Sequence, residues 1–244
     1  MRYAILGDIH GNLSALQTVL AAIEQDGADA IFSVGDVVGY GAAPRECIAL
    51  LRELGVQVVK GNHDAACVGE LDMTFFNPYA RSAALWTAEQ LEEEELEWLR
   101  GLPFVHTTEH CAVAHGTYAS PERFDYVQSP ADADPSLDAM GVPVCFVGHT
   151  HVPVTILRTV DDPLRTAYTI ESSIDLSDSI RALVNVGSVG QPRDEDCRTA
   201  YALYDSESAL VELHRLEYDI ELEAARIRAA GLPSMLADRL YLGV

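Results

Sequence analysis

No stretch of about 18 consecutive apolar residues occurs in the chain, so a membrane-spanning helix is excluded. The first residues enter an apolar strand-like run at once, with no basic segment ahead of it. A secretory signal peptide is therefore not expected. Basic residues are scarce: 16 Lys and Arg stand against 38 Asp and Glu, a formal charge of −22. Such a chain repels long nucleic acids and anionic membranes. The five cysteines, Cys47, Cys67, Cys111, Cys145 and Cys197, are odd in number and widely spaced, and no CxxC occurs. That excludes a disulfide frame and a zinc knuckle and points to buried thiols in a reducing, cytoplasmic compartment. Repeats, low-complexity segments and linkers are also missing, so residues 1–244 are expected to form a single domain. A hydrophobic content of 48 % implies a packed core.

What is present begins with an apolar run, Tyr3–Leu6, followed by Gly7-Asp8-Ile9-His10-Gly11-Asn12. The run predicts a buried strand, and the spacing of Leu13, Leu16, Val19, Leu20 and Ile23 predicts a helix capped by Asn12 or Ser14. Residues 28–35 repeat the pattern: a strand that ends at Gly35-Asp36. Pro44 opens a second helix through Leu54. Val56–Val59 is a third strand, ending in Gly61-Asn62-His63-Asp64. Thr87–Leu99 predicts one helix, and its run Glu92-Glu93-Glu94-Glu95 reads as a solvated face opposite Leu91, Leu96 and Leu99. Leu102–His106 and Cys111–Ala114 form a hairpin that ends at His115-Gly116. Residues 117–141 are loop-like with a short helix. Val142–Val147 is a strand ending in Gly148-His149-Thr150-His151. After residue 152 the texture becomes β-like, with alternation in Val152–Val160, Thr166–Glu171, Arg181–Val186, Ala200–Tyr204 and Leu210–Leu216. A helix over Ile220–Ala230 closes the pattern. The first half thus reads as βαβα and the second as mostly β, an α/β or α+β arrangement in which ligands sit beyond the strands' carboxyl ends.

Five of these strand ends carry oxygen or imidazole donors: Asp8 and His10, Asp36, Asn62 and His63, His115, and His149 with His151. Five of the eight histidines are in this set; His106, His110 and His214 have no such setting. Aspartate, neutral histidine and an amide oxygen suit borderline divalent cations such as Mn, Fe, Zn, Ni or Co, and the lack of a thiolate excludes a soft site. Seven ligands exceed one tetrahedral ion. They suit two ions about 3.5–4 Å apart that share a carboxylate and a bridging water. Cations there would also reverse the −22 field locally for an anionic substrate.

Asp8-x-His10, Gly35-Asp36, Gly61-Asn62-His63-Asp64, His115-Gly116 and Gly148-His149-Thr150-His151 together resemble the motif set of the calcineurin-like metallophosphoesterases. The likeness covers Asp8 to His151 in the family's order, and the short intervals look like its small prokaryotic phosphodiesterase branch. The resemblance implies a four-layer α-β-β-α sandwich of two mixed sheets. It implies a first cation on Asp8, His10, Asp36 and His151, and a second on Asp36, Asn62, His115 and His149, with Asp36 bridging and manganese the leading candidate. A hydroxide bridging the two would attack phosphorus in line. His63 would act on the leaving-group oxygen, oriented by Asp64.

Three further positions have two readings each. Asn12 contacts a ligand or caps its helix. Tyr40 lines the pocket or packs beneath it. Arg193, in the Asn185–Arg193 loop, clamps phosphate with its planar fork or pairs with Asp194 or Asp196. The function expected is a metal-dependent phosphodiesterase on small, nucleotide-like substrates. A phosphomonoesterase, protein phosphatase or nucleotide pyrophosphatase would share the same core. A protein-binding scaffold on this fold is the non-enzyme alternative, which the complete ligand set and His63 disfavour. The oligomeric state is left open, with a homodimer among the alternatives.

Overall fold

The computed structural model describes residues 1–244. Strand β1 (Arg2–Leu6) pairs in parallel with β2 (Ala30–Ser33), which pairs in parallel with the two-residue β3 (Gln57–Val58). On its other side β1 runs antiparallel to β11 (Thr199–Asp205), followed by β12 (Leu210–Leu216) and β9 (Ser173–Asp175). The second sheet has the order β4 (Val105–Thr107), β5 (Cys111–Ala114), β6 (Val144–Val147), β10 (Ser179–Asn185), β7 (Val154–Thr159), β8 (Ala167–Thr169). Both six-stranded sheets are mixed.

Alternation along the strands explains how the layers stack. In β1, Tyr3 and Ile5 face Phe146, Val184 and Tyr204 in a core between the two sheets. Ala4 and Leu6 point the other way, onto α1 (Leu13–Asp26) and α2 (Pro44–Glu53) through Leu16, Val19, Ile48 and Leu51. In β6, Val144 and Phe146 enter the inter-sheet core, while Cys145 and Val147 pack beneath α6 (Pro130–Ala139) with Leu137. A strand buried on both faces has no polar side, which is why these segments read as continuous apolar runs. The result is the four-layer α-β-β-α sandwich implied by the motif set. The first helical layer also holds α3 (Asn62–Cys67), α4 (Pro78–Gln90), α5 (Glu93–Arg100), α7 (Ile220–Ala229) and α8 (Ser234–Asp238).

Two expectations need correction. The single helix over Thr87–Leu99 is two. Helix α4 ends at Gln90, Leu91 is extended and buried, and α5 restarts with Glu92 as its cap, whose N–H donates to Glu95 Oε2 at 2.8 Å. Burial of Leu91 at the break outweighs helix continuity. The acidic run is nonetheless a surface feature: Glu92 and Glu95 pair with Arg45, Glu94 with Arg52 and Glu93 with Arg100. The tail beyond Ala230 also contains a helix, α8, which packs Leu236 against Ile227 and Tyr40.

The carboxyl ends of β1, β2 and β3 in one sheet and of β5 and β6 in the other open at the same edge of the sandwich. Strand β10 runs parallel to β6 and delivers residues 186–193 to that edge. This loop ties the others down. Val189 and Gly190 N–H donate to the Gly7 and Asp8 carbonyls at 2.7 and 2.9 Å, and Ser188 Oγ donates to the Asp8 carbonyl at 2.8 Å. Gly190 lies so close to Ile9 that a Cβ would overlap its carbonyl oxygen. Gly190→Ala is expected to cost about 2–4 kcal/mol, read as a lowered urea midpoint. An unchanged midpoint would mean that the loop can move away without loss.

Candidate metal centre

Each donor sits on a turn that begins where a strand stops. Asp8, His10, Asp36, Tyr40, His149 and His151 all have positive φ, between 48° and 68°. A non-glycine residue in this region costs of order 1 kcal/mol or more and persists only where its surroundings impose it. These turns leave the pleat abruptly and aim several side chains at one point. They also bring backbone against carboxylate: a Cβ on Gly61 would overlap Asp36 Oδ1, and one on Gly148 would overlap Asp8 Oδ2.

Two groups of donors result. In the first, Asp8, His10 and His151 converge, with His151 Nε2 3.5 Å from Asp8 Oδ1 and 3.1 Å from His10 Nε2. In the second, Asp36, His115 and His149 converge, with His115 Nε2 3.0 Å from His149 Nδ1 and 2.9 Å from Asn62 Oδ1. Asp36 Oδ2 lies between the groups, 3.5 Å from His10 Nε2 and 3.4 Å from His115 Nε2. The structure thus brings together Asp8, His10, Asp36, Asn62, His115, His149 and His151.

The hydrogen bonds at the back of each ring decide what these atoms offer. His10 Nδ1 faces the Val38 carbonyl at 3.1 Å, His115 Nδ1 the Val34 carbonyl at 2.9 Å, and His151 Nδ1 the Gln191 carbonyl at 2.6 Å. A carbonyl only accepts, so each Nδ1 carries the proton and each Nε2 presents a bare lone pair. Burial keeps the rings neutral: it lowers His10, His149 and His151 well below the usual histidine range and His115 to about 4. Two lone pairs therefore face each other between His10 and His151, and the Asn62 amide oxygen faces the His115 lone pair. Such contacts are repulsive unless a cation lies among them. This donor set fits two divalent cations, with the backbone carbonyls fixing the tautomer that ligation needs.

His63 is buried against the same cluster, its ring 4.9 Å from His10, 4.4 Å from Tyr40 and 5.1 Å from Phe76. Its Nδ1 is buried with no partner. Gly39, at φ 89°, makes room for the ring, since a Cβ there would overlap His63 Nδ1. Asp64 does not orient this ring, contrary to expectation. Its Oδ1 accepts from Val37 and Val38 N–H at 2.9 and 3.3 Å, and its Oδ2 from Gly61 N–H at 3.0 Å. It holds the Asp36 loop to the Asn62 turn. Asn12 is likewise a structural residue, because its Oδ1 caps α1 at Ala15 N–H (3.0 Å) and its Nδ2 donates to the Gly190 carbonyl (2.9 Å).

Tyr40 packs edge-on against His10 at 4.6 Å, and the Arg193 guanidinium lies 5.6 Å over the Tyr40 ring. Arg193 makes no ion pair with its acidic neighbours. Asp194 is taken by Arg215 and Asp196 by Arg198, and the Arg193 guanidinium donates to Gln191 Oε1, leaving its buried Nε free. His106, His110 and His214 pack with Phe32, Tyr3 and Tyr201, away from the cluster. Sequence reasoning missed Tyr126, whose ring stacks on His149 at 3.8 Å and 19°. It also missed Asn185, whose Nδ2 bonds the Gly148 carbonyl at 2.6 Å and Thr150 Oγ1 at 2.9 Å. Tyr126 lies on a loop away from any strand end, and Asn185, at the end of β10, is an amide in a segment with no neighbouring ligand to mark it.

Burial is also the main reason the carboxyls are pushed up: Asp8 well above the usual range, with repulsion from Asp36 adding to it, and Asp36 and Asp64 each to about 7. A carboxyl raised in the folded state makes the metal-free protein lose stability as pH rises from the unfolded value toward the folded one. Asp36→Asn removes one such group. The metal-free variant is expected to match wild type near pH 4 and to melt about 3 °C or more above it at pH 8. Its melting rise on adding manganese or zinc should largely disappear. Thermal melts in EDTA and in metal at both pH values check this, and a retained metal-induced rise would remove Asp36 from the centre.

Comparison with known proteins agrees with this architecture. Residues 1–209 match the model of the calcineurin-like phosphoesterase superfamily domain. The chain is 36 % identical over 244 residues to an uncharacterized protein of Methanocaldococcus jannaschii, covering 98 % of this chain and 97 % of that one. It superposes on the crystal structure of a metallophosphoesterase from Sphaerobacter thermophilus with a TM-score of 0.87 and 41 % identity, covering 100 % and 99 % of the two chains. A more local likeness, 33 % over 109 residues, links 43 % of the chain to 39 % of a symmetrical bis(5'-nucleosyl)-tetraphosphatase of Haemophilus influenzae. The chain belongs to the calcineurin-like phosphoesterase superfamily, hydrolases that act on phosphoester bonds.

Proposed function

We propose that the protein is a two-metal phosphodiesterase acting on small, nucleotide-like substrates, with manganese as the favoured cation. The observation that carries this reading is the position of Asp36 Oδ2, within 3.5 Å of a ligating nitrogen from each donor group. One group is completed by Asp8, His10 and His151, the other by Asn62, His115 and His149. Bound there, divalent cations would supply a water of lowered pKa and neutralise charge on the phosphoryl oxygens. His63, whose ring shares a donor group with Asp36 and His10, is placed to bond the leaving-group oxygen as its charge develops. Arg193 holds a non-bridging phosphoryl oxygen, since no carboxylate competes for its fork. Tyr40 aligns both rings.

The absence of any basic groove supports a small substrate over a long nucleic acid. The local match to tetraphosphatases favours one second reading, cleavage of a nucleotide phosphoanhydride with the same core. Unpaired thiols, four of the five buried, support a reducing cytoplasmic setting, and no helix is long and apolar enough to cross a membrane. Strand β1 joins the inter-sheet core to one helical layer and β6 joins it to the other, which supports treating residues 1–244 as one domain.

Metal-stripped protein reloaded with manganese is expected to hydrolyse bis-p-nitrophenyl phosphate faster than p-nitrophenyl phosphate; the reverse order would mark a monoesterase. His63→Ala should retain two bound metals by elemental analysis and lose about 10²–10⁴ in kcat. Full activity of that variant on a diester with a poor leaving group would remove His63 from the reaction. Arg193→Ala should raise KM about tenfold with a smaller change in kcat, if the guanidinium holds phosphate equally in ground and transition states. An unchanged KM would return Arg193 to the surface.

A further inference from the structure

A groove of about 790 Å³ opens beside the metal centre, within the range of small-molecule sites. Three of its residues belong to the centre's own surroundings. Tyr126 stacks on His149, Thr150 lies between His149 and His151, and Arg193 covers Tyr40. Away from these the wall becomes aliphatic and aromatic: Val152, Val154 and Ile156, then Tyr168 and Ile170 at the edge of the second sheet. Tyr168 is 65 % exposed and Ile170 78 %, a costly arrangement for an edge with nothing lying on it.

The groove's charge is as informative as its shape. Of the 13 lining residues only Arg193 carries a formal charge, in a chain where 22 % of residues are charged. Its polar members, such as Gln128 and Ser129, are neutral. A polyphosphate chain laid along this wall would meet no cation beyond Arg193. An uncharged flat group attached directly to the reacting phosphate would meet two tyrosine rings and aliphatic side chains, with the Gln128 amide able to bond its edge.

We infer that this groove is the specificity site of the enzyme and takes the nucleoside of a phosphodiester, its base lying against Tyr168 and Tyr126 and its phosphate at Arg193. The inference rests on the phosphodiesterase reading for the place of the phosphate, and on the groove for the rest. Stacking of a base on an aromatic side chain is worth about 1–3 kcal/mol, which corresponds to a preference of roughly tenfold or more.

Two measurements on the metal-loaded protein test it. The first compares kcat/KM for thymidine 5'-(4-nitrophenyl) phosphate and methyl 4-nitrophenyl phosphate, which share a leaving group and differ only in the nucleoside. The second compares calorimetric binding of thymidine 5'-monophosphate and methyl phosphate. The nucleoside compound is expected to win by about tenfold or more in both, and Tyr168→Ala should bring each ratio close to one. Tyr168 is exposed on an edge strand, so this variant should fold, and circular dichroism checks it. Equal binding of the two phosphates by wild type overturns the inference; if both esters are still cleaved, the phosphodiesterase reading stands. Preferential binding of the nucleotide, lost in Tyr168→Ala, with neither ester cleaved, upholds the groove and sinks the phosphodiesterase. Equal binding together with a dimer that Tyr168→Ala dissociates would assign the surface to a second copy of the chain and overturn the inference as well.

Discussion

The repulsion between lone pairs at the sandwich edge is the constraint to which the rest of the structure answers. His10 Nε2 and His151 Nε2 stand 3.1 Å apart, and both lack a proton because their Nδ1 atoms are committed to backbone carbonyls. Two buried aspartates share the same small volume, where burial resists their ionisation. Nothing in the unliganded chain makes this favourable. Buried polar groups are normally satisfied by partners, and uncompensated buried charge is among the most costly features a fold can carry. A folded protein that holds such a cluster must stabilise it with the rest of its core, and the cluster recovers that cost when cations bind.

The means of holding it are spread through both sheets. Three loops come from β1, β2 and β3, two from β5 and β6, and a sixth from β10 that donates to the Gly7 and Asp8 carbonyls. Positive φ at Asp8, His10, Asp36, His149 and His151 is the local counterpart. A strand continuing in its regular conformation would send alternate side chains to opposite faces, and only a sharp turn aims Asp8 and His10, two residues apart, into one site. Strain and repulsion are thus both stored at the edge, while the inter-sheet core around Ile5, Phe146 and Tyr204 supplies the stability.

How much of this was legible in the sequence follows from the range of each interaction. Residue type and strand-end position are local, so Asp8, His10, Asp36, Asn62, His115, His149 and His151 could be picked out, whereas the second sheet was implied only by the resemblance of their motifs to the family. Roles set by distant partners could not. Asp64 follows His63 in the chain, which suggests that it orients the ring, but its carboxylate is taken by the N–H groups of Val37 and Val38. Asn12 offered two readings, and the Gly190 carbonyl from 178 residues away decides for structure. Gly39 looked like one glycine of a loop until His63 filled the space a Cβ would need. The helix break at Leu91 depends on the core beneath it, which periodicity along the chain does not report.

The acidic composition leads to the last step. A chain of charge −22 should repel phosphate, and most of its surface does. Its ion pairs leave Arg193, beside the centre, without a carboxylate partner. Arg215 engages Asp194 and Arg198 engages Asp196, the two acids that adjoin Arg193. Arg193 itself donates to the neutral Gln191 amide and rests over Tyr40, a position that costs it solvation and gives it no counterion. The buried Arg193 Nε has no hydrogen-bond partner in the chain and can donate to an arriving anion. The same asymmetry governs the centre: donors wait for cations, and the unpaired Arg193 fork beside them waits for an anion. The surplus of carboxylates elsewhere then acts as a filter, since phosphate gains affinity at the site where cations and Arg193 together outweigh the field of the whole chain.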